Sequence, residues 1–148
     1  MKIILFQPEI PQNTGNIIRT CSVTGNQLVL VEPISFSLTD RWLKRAGLDY
    51  FEGVEVERID DLEHFIETAG KPFTFFSSKA PRLYTEISYS KDHLLIFGSE
   101  SKGLSPHFYE KWPTHFVKIP MQEGKRCLNL ATSVGIGVFE AWRQNSFL

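Results

Sequence analysis

The chain has 148 residues, 42% of them hydrophobic and 22% charged, with a formal net charge of −1. That is long enough to bury a full apolar core without disulfide or metal staples. The near-neutral balance excludes a polyanion binder that works through a global positive field, so any nucleic-acid contact must come from local patches, and it permits self-association without strong repulsion.

In chain order, Lys2–Phe6 is β-branched and apolar and reads as a buried strand. Pro8 and Pro11 then force an irregular loop. Asn13-Thr14-Gly15-Asn16 can cap a helix through Cys21 that stops near Gly25. Leu28–Val31 is a second buried strand. Strand, helix, strand at this spacing implies a parallel pair. Thr39-Asp40 caps a short helix, Arg41–Ala46, with Gly47 as its stop. Val54–Ile59 alternates like a strand, Asp60–Ala69 reads as an amphipathic helix ending at Gly70, and Phe73–Phe76 is a further strand.

Leu94–Phe97 is another apolar strand, running directly into Gly98-Ser99-Glu100-Ser101-Lys102-Gly103. Ser105-Pro106 opens a short helix, with cap and first-turn proline in their favoured places. Phe116–Ile119 is the last strand, and a helix from Leu128 to about Arg143 carries Leu130, Val134, Val138 and Trp142 at helical spacing. The alternation predicts an α/β fold with a mostly parallel sheet flanked by helices, in one domain spanning 1–148, without repeats or linkers.

The short apolar run at the N-terminus is neither a signal peptide nor a membrane span, and cytoplasm is the expected compartment. Cys21 and Cys127 do not form a disulfide framework and are expected as buried free thiols. His64, His93, His107 and His115 are scattered, so no metal is expected.

Three junctions look chemical. In the first, Asn13, Asn16 and Arg19 are spaced by threes, which on a helix gathers them on one broad face while Ile17 and Ile18 turn to the sheet. In the second, two glycines flank Glu100 just past a strand; this is neither a P-loop nor a dinucleotide fingerprint. In the third, Ile119-Pro120-Met121 ends a strand, a polar loop with Lys125 and Arg126 follows, and Asn129 stands in the first turn of the next helix. Each also has a plain structural explanation: a helix cap with an exposed arginine, a tight connection with a solvated Glu100, and a second cap beside soluble charges.

Taken together, Asn-x-Gly-Asn-x-x-Arg, Phe-Gly-x-Glu-x-x-Gly and Ile-Pro-Met…Leu-Asn-Leu resemble the three motifs of the SPOUT class of S-adenosylmethionine-dependent RNA methyltransferases. Gln7–Arg19, Arg45–Tyr50 and Glu140–Gln144 are similar to one branch of it, the minimal tRNA 2′-O-methyltransferases of the wobble cytidine or uridine (the TrmL/YibK-like family). The resemblance covers essentially the whole chain.

It implies an α/β fold with a C-terminal trefoil knot, S-adenosylmethionine as methyl donor, the tRNA anticodon stem-loop as substrate, and a homodimer with its site completed across the interface. By position it assigns the donor to Phe76, Gly98, Ile119 and Cys127, with Leu128 close by. It assigns the acceptor chemistry to Arg19, Asn16, Glu100 and Asn129. Arg19 matches an arginine given an activating role in such enzymes. A guanidinium is a reluctant base, with a pKa above ~12, so orienting the acceptor and stabilising charge suits Arg19 better. Many relatives carry Ser at the positions of Cys127 and Ala131.

Candidate phosphate contacts are Arg41/Lys44/Arg45, Lys79/Arg82 and Lys125/Arg126. The C-terminal helix, with Phe139 and Trp142, offers a dimer face. Two other readings are the same chemistry on another RNA, such as ribosomal RNA, and a non-catalytic RNA-binding module of the same fold. Profiling of 2′-O-methylation separates the first from wobble modification, and titration with S-adenosylmethionine tests the second.

Overall fold

A computed structural model describes residues 1–37 and 53–148. The expected helix Arg41–Ala46 with its caps, the stretch Arg45–Tyr50 and the patch Arg41/Lys44/Arg45 lie outside the described residues.

Seven strands form one sheet: β1 (Lys2–Phe6), β2 (Gln27–Val31), β3 (Val56–Ile59), β4 (Phe73–Phe76), β5 (Arg82–Leu83), β6 (Leu94–Phe97) and β7 (Phe116–Lys118). Their order is β3-β2-β1-β6-β4-β7-β5, and every pairing is parallel. Four helices are described: α1 (Pro11–Thr24), α2 (Leu62–Ala69), α3 (Pro106–Lys111) and α4 (Leu130–Gln144).

The central strands are continuous apolar runs because both faces of the sheet are covered. The two-residue strand period sorts them. Ile3, Leu5, Leu28, Leu30, Phe76, Leu95 and Phe97 face Ile17, Ile18 and Cys21 of α1 and Val134, Val138 and Ala141 of α4. Ile4, Val29, Phe75, Leu94 and Ile96 face Leu62 and Ile66 of α2 and Phe108 of α3. Each fully buried Ile or Leu side chain contributes about 1.5–3 kcal/mol by leaving water. On the second face, Glu63 of α2 pairs with His107 and Lys111 of α3, and Glu67 also pairs with Lys111. Among the described residues no helix is long and apolar enough to cross a membrane.

Several boundaries differ from the sequence expectation. Pro11 does not prolong a loop; it occupies the first turn of α1, where its missing N–H costs nothing. Asn13 and Asn16 therefore lie inside the helix rather than capping it. Asn129 is the N-cap of α4, its Oδ1 accepting from the Thr132 amide at 3.2 Å. Cys127 is exposed, three residues before α4, so only Cys21 fits the expectation of a buried thiol. The two-residue strand β5 and the 3-10 turns Tyr84–Glu86 and Pro113–His115 are too short to show a period.

Candidate active site at the carboxyl edge of the sheet

In an open parallel sheet, ligands collect outside the carboxyl ends of the strands, where the strand order reverses. Here the reversal lies at β1 and β6: the chain leaves β1 for β2 and β3 on one side and later returns to place β6 on the other. The segments following β1, β4, β6 and β7 converge there on a cavity of about 440 Å³.

The loop after β6 is closed on itself. Ser99 and Gly103 exchange backbone bonds, N–H to O, at 3.1 and 3.0 Å. Gly103 sits in the left-handed region at φ 67°, which glycine adopts without steric cost. A Cβ on Gly98 would lie 2.4 Å from the Gly103 carbonyl carbon and 2.7 Å from the Leu104 nitrogen. Gly98 is thus required for the loop to pack on its own backbone, and the product of that packing is a fixed Glu100.

Glu100 reaches across to the start of α1. Its Oε2 accepts from the Glu9 amide at 2.8 Å, and its Oε1 accepts from the Ile10 amide and from Asn13 Nδ2, each at 3.1 Å. Ile10, the N-cap of α1, makes no side-chain cap of its own. A carboxylate about ninety residues away in sequence instead takes the two amides just ahead of the helix, and its charge suits the positive end of the helix. Gln7, at φ 50°, turns the chain between β1 and this contact, a conformation costing about 1–3 kcal/mol in a residue with a side chain.

Asn13 carries the connection onward. It is buried, and its Oδ1 accepts from Asn129 Nδ2 at 2.8 Å. A relay of carboxylate, amide and amide, Glu100–Asn13–Asn129, therefore joins all three junctions at the cavity wall. Beside it, the Ser101 hydroxyl donates to Glu9 Oε1 at 2.7 Å and holds the Glu9 carboxyl below the ordinary carboxylate range. Glu9 is accordingly a fixed negative charge near neutrality rather than a ready proton acceptor.

The expected donor residues Phe76, Gly98, Ile119, Cys127 and Leu128 all line this one cavity, as do Glu100 and Asn129. Asn16 and Arg19 do not; both are exposed on the continuation of α1. The polar face expected from their spacing is real but rolls outward, from buried Asn13 to open Asn16 and Arg19.

The SpoU rRNA Methylase family model matches residues 1–139. The chain belongs to that family. It is 42% identical over 150 residues to a tRNA (cytidine(34)-2′-O)-methyltransferase of a Polaromonas species, covering 98% of this chain and 91% of the relative. A solved structure described as giving insight into the 2-OH methylation of C/U34 on tRNA superposes with a TM-score of 0.90 at 39% identity, covering 98% of this chain and 95% of that one. The S-adenosylmethionine-bound rRNA methyltransferase of Sinorhizobium meliloti superposes with a TM-score of 0.84 at 28% identity, over 96% of this chain and 55% of that one.

Within this SpoU-family site, side chains differ in what they offer. The Phe76 ring is stacked on Phe97 with centroids 4.5 Å apart, and it abuts α4 where a Cβ on Gly137 would meet it at 2.9 Å. With its ring committed to the core, Phe76 serves the cavity mainly as a strand end. Cys127 Sγ contacts Ser78 Oγ at 3.4 Å, bridging the segment after β7 to the segment after β4. Tyr109 of α3 closes another wall, its hydroxyl 2.6 Å from Ser77 Oγ. Lys79 and Lys102 also line the cavity, and neither forms a salt bridge among the described residues. Arg82, by contrast, is turned back to the Glu86 carbonyl at 2.9 Å.

The sequence reading missed Asn13 as a site residue in its own right. Its position in the first motif was visible, but its burial and its two partners depend on segments roughly ninety and more residues away. Glu9, Ser78 and Tyr109 carried no local signal at all. Among the described residues no cluster of three His, Cys, Asp or Glu side chains is disposed to hold a metal.

Proposed function

We propose that this chain transfers the methyl group of S-adenosylmethionine to the ribose 2′-oxygen of the wobble nucleotide, cytidine or uridine, in the anticodon stem-loop of tRNA. The observation that carries this reading is the Glu100–Asn13–Asn129 relay, which ties the three motif segments into one wall of one cavity.

The residues present fit the donor. A cavity of about 440 Å³ is of ligand size, with apolar Ile119, Leu128 and Leu130 beside Ser77, Ser99 and Ser133. When bound, S-adenosylmethionine supplies an electrophilic methyl on a sulfonium. Phe76, Gly98, Ile119, Cys127 and Leu128 hold and enclose it, largely through strand ends and loop backbone. Cys127, where many relatives carry serine, keeps its backbone for the donor, and its Sγ reaches Ser78 Oγ at 3.4 Å.

Glu100, Asn13 and Asn129 orient the acceptor ribose, since alignment of a weak nucleophile supplies much of the rate in a displacement of this kind. Asn16 and Arg19, exposed on α1, act on the acceptor side, with Arg19 placing the RNA and stabilising charge. Lys79 and Lys102 meet phosphate. The protein works as a homodimer in the cytoplasm: Val23 of α1, Phe139 of α4 and the following Phe147 are large exposed apolar groups suited to covering by a second copy. We also read the chain as one domain carrying the trefoil knot of its class, with the segment between β7 and α4 passing through the loops it contacts.

The test is methyl transfer from labelled S-adenosylmethionine to tRNA transcripts and to native tRNA, with the modified nucleotide mapped. The expected product is a 2′-O-methyl at the wobble position. Methylation confined to ribosomal RNA, or none despite donor binding, would refute the reading. Sedimentation at micromolar concentration checks the dimer.

A further inference from the structure

At the rim of the cavity Ile10 presents an open apolar side chain on a fixed backbone. Its amide donates to Glu100 Oε1 at 3.1 Å, and its carbonyl accepts from the Asn13 and Thr14 amides at 3.1 and 3.3 Å. Three bonds therefore fix its main chain, yet the side chain stays 42% exposed. Met121, from the segment after β7, is 37% exposed and lines the same cavity. Together they give the cavity an apolar surface open to solvent on a fixed backbone, and covering it with another molecule is favourable at little ordering cost.

The surroundings say what that molecule is. Lys79 and Lys102 line the same cavity without salt-bridge partners among the described residues, which suits a polyanion with an apolar part. A nucleotide splayed out of a single-stranded RNA loop has both: a phosphate on each side and a base whose faces are apolar.

We propose that Ile10, with Met121 on the same cavity, is the seat for the base of the acceptor nucleotide. The proposal rests on the reading of this cavity as a site of RNA ribose methylation. An aliphatic seat contacts the face of the base and makes no hydrogen bond to its edge. It cannot distinguish an amino from an oxo group at C4, so cytidine and uridine are held equally.

Substitution at Ile10 isolates this role, because the three anchoring bonds are main-chain bonds that Ile10→Ala retains. The experiment measures binding of a fluorescent anticodon stem-loop, with cytidine or uridine at the wobble position, to the full chain saturated with S-adenosylhomocysteine. Affinity for S-adenosylhomocysteine is measured separately by calorimetry. Ile10→Ala is expected to weaken both RNAs about five- to tenfold and by the same factor, with unchanged S-adenosylhomocysteine affinity, and Ile10→Leu to restore binding. Unchanged RNA affinity in Ile10→Ala would overturn the proposal, as would a loss confined to one pyrimidine or a weakened S-adenosylhomocysteine affinity. If the variant binds RNA more weakly than the wild type but neither transfers methyl, the methyltransferase reading fails and with it the assignment to an acceptor base, leaving Ile10 as an RNA contact only. A wild type that binds no RNA overturns both.

Discussion

Gly98→Ala perturbs the site at its tightest point. The new Cβ would lie 2.4 Å from the Gly103 carbonyl carbon, against the ~3.5–4.0 Å of a normal carbon contact. The three nearest atoms are all backbone, which cannot swing aside as a side chain would. The loop must open by about 1 Å, which breaks the two Ser99–Gly103 bonds at a net cost of about 1–3 kcal/mol. That overlaps with the ~1–3 kcal/mol usual for overpacking, because opening is how the clash is relieved, so a total of about 2–3 kcal/mol is expected. Glu100 lies inside the loop and moves with it. A 1 Å misplacement of a positioning group costs about a hundredfold in rate. Urea denaturation should show a lower midpoint with an unchanged slope, and single-turnover methyl transfer should fall by about two orders of magnitude. Gly103→Ala, strained by its φ of 67° but meeting nothing within 4 Å, should lose only about 1–2 kcal/mol. Wild-type stability in Gly98→Ala would refute the packing argument, and lost stability with a full rate would break the link between loop and site.

Three other perturbations have defined outcomes. Asn13→Ala leaves Glu100 and Asn129 each short of a buried partner, and is expected to lower stability by about 1–3 kcal/mol and to cut kcat with little change in the S-adenosylhomocysteine Kd; an unchanged kcat would remove Asn13 from the acceptor machinery. Iodoacetamide should label one cysteine: Cys127 is exposed, whereas burial pushes the Cys21 thiol up to about 12. Bound S-adenosylhomocysteine should protect Cys127, and mass spectrometry showing equal labelling with and without it would place the donor elsewhere. Burial lowers His93 to about 4 from an ordinary 6.5, its Nε2 meeting Thr74 Oγ1 at 2.8 Å and its Nδ1 meeting no partner. Between those values the unfolded chain takes a proton that the folded chain refuses, so stability falls as pH drops through that window, by up to about 3 kcal/mol, with His115 adding in the same sense. Urea midpoints measured between pH 7 and 4.5 should show a shallower acid loss in His93→Gln; an identical slope would exclude His93 as the cause.

The elements and most of their limits were legible in the sequence, because they rest on signals a few residues long. The apolar runs of β1, β2, β4 and β6, the stops at Gly25 and Gly70 and the Ser105-Pro106 start all stand where their local chemistry puts them. The three motifs were likewise readable as segments. What they do to one another was decided only by the tertiary structure. The chain just ahead of Pro11 and α1 is fixed by Glu100 through the Glu9 and Ile10 amides, and that Asn13 is the joint depends on Asn129 as well. Gly98 lines the cavity, and its missing side chain is also what leaves room for Gly103. Cys127 looked like a buried thiol and is an exposed wall of the cavity. The physical reason is common to all four. A turn, cap or strand is specified by neighbours in sequence, whereas burial and hydrogen-bond partnership across a parallel sheet are settled by strand order, which no local pattern encodes.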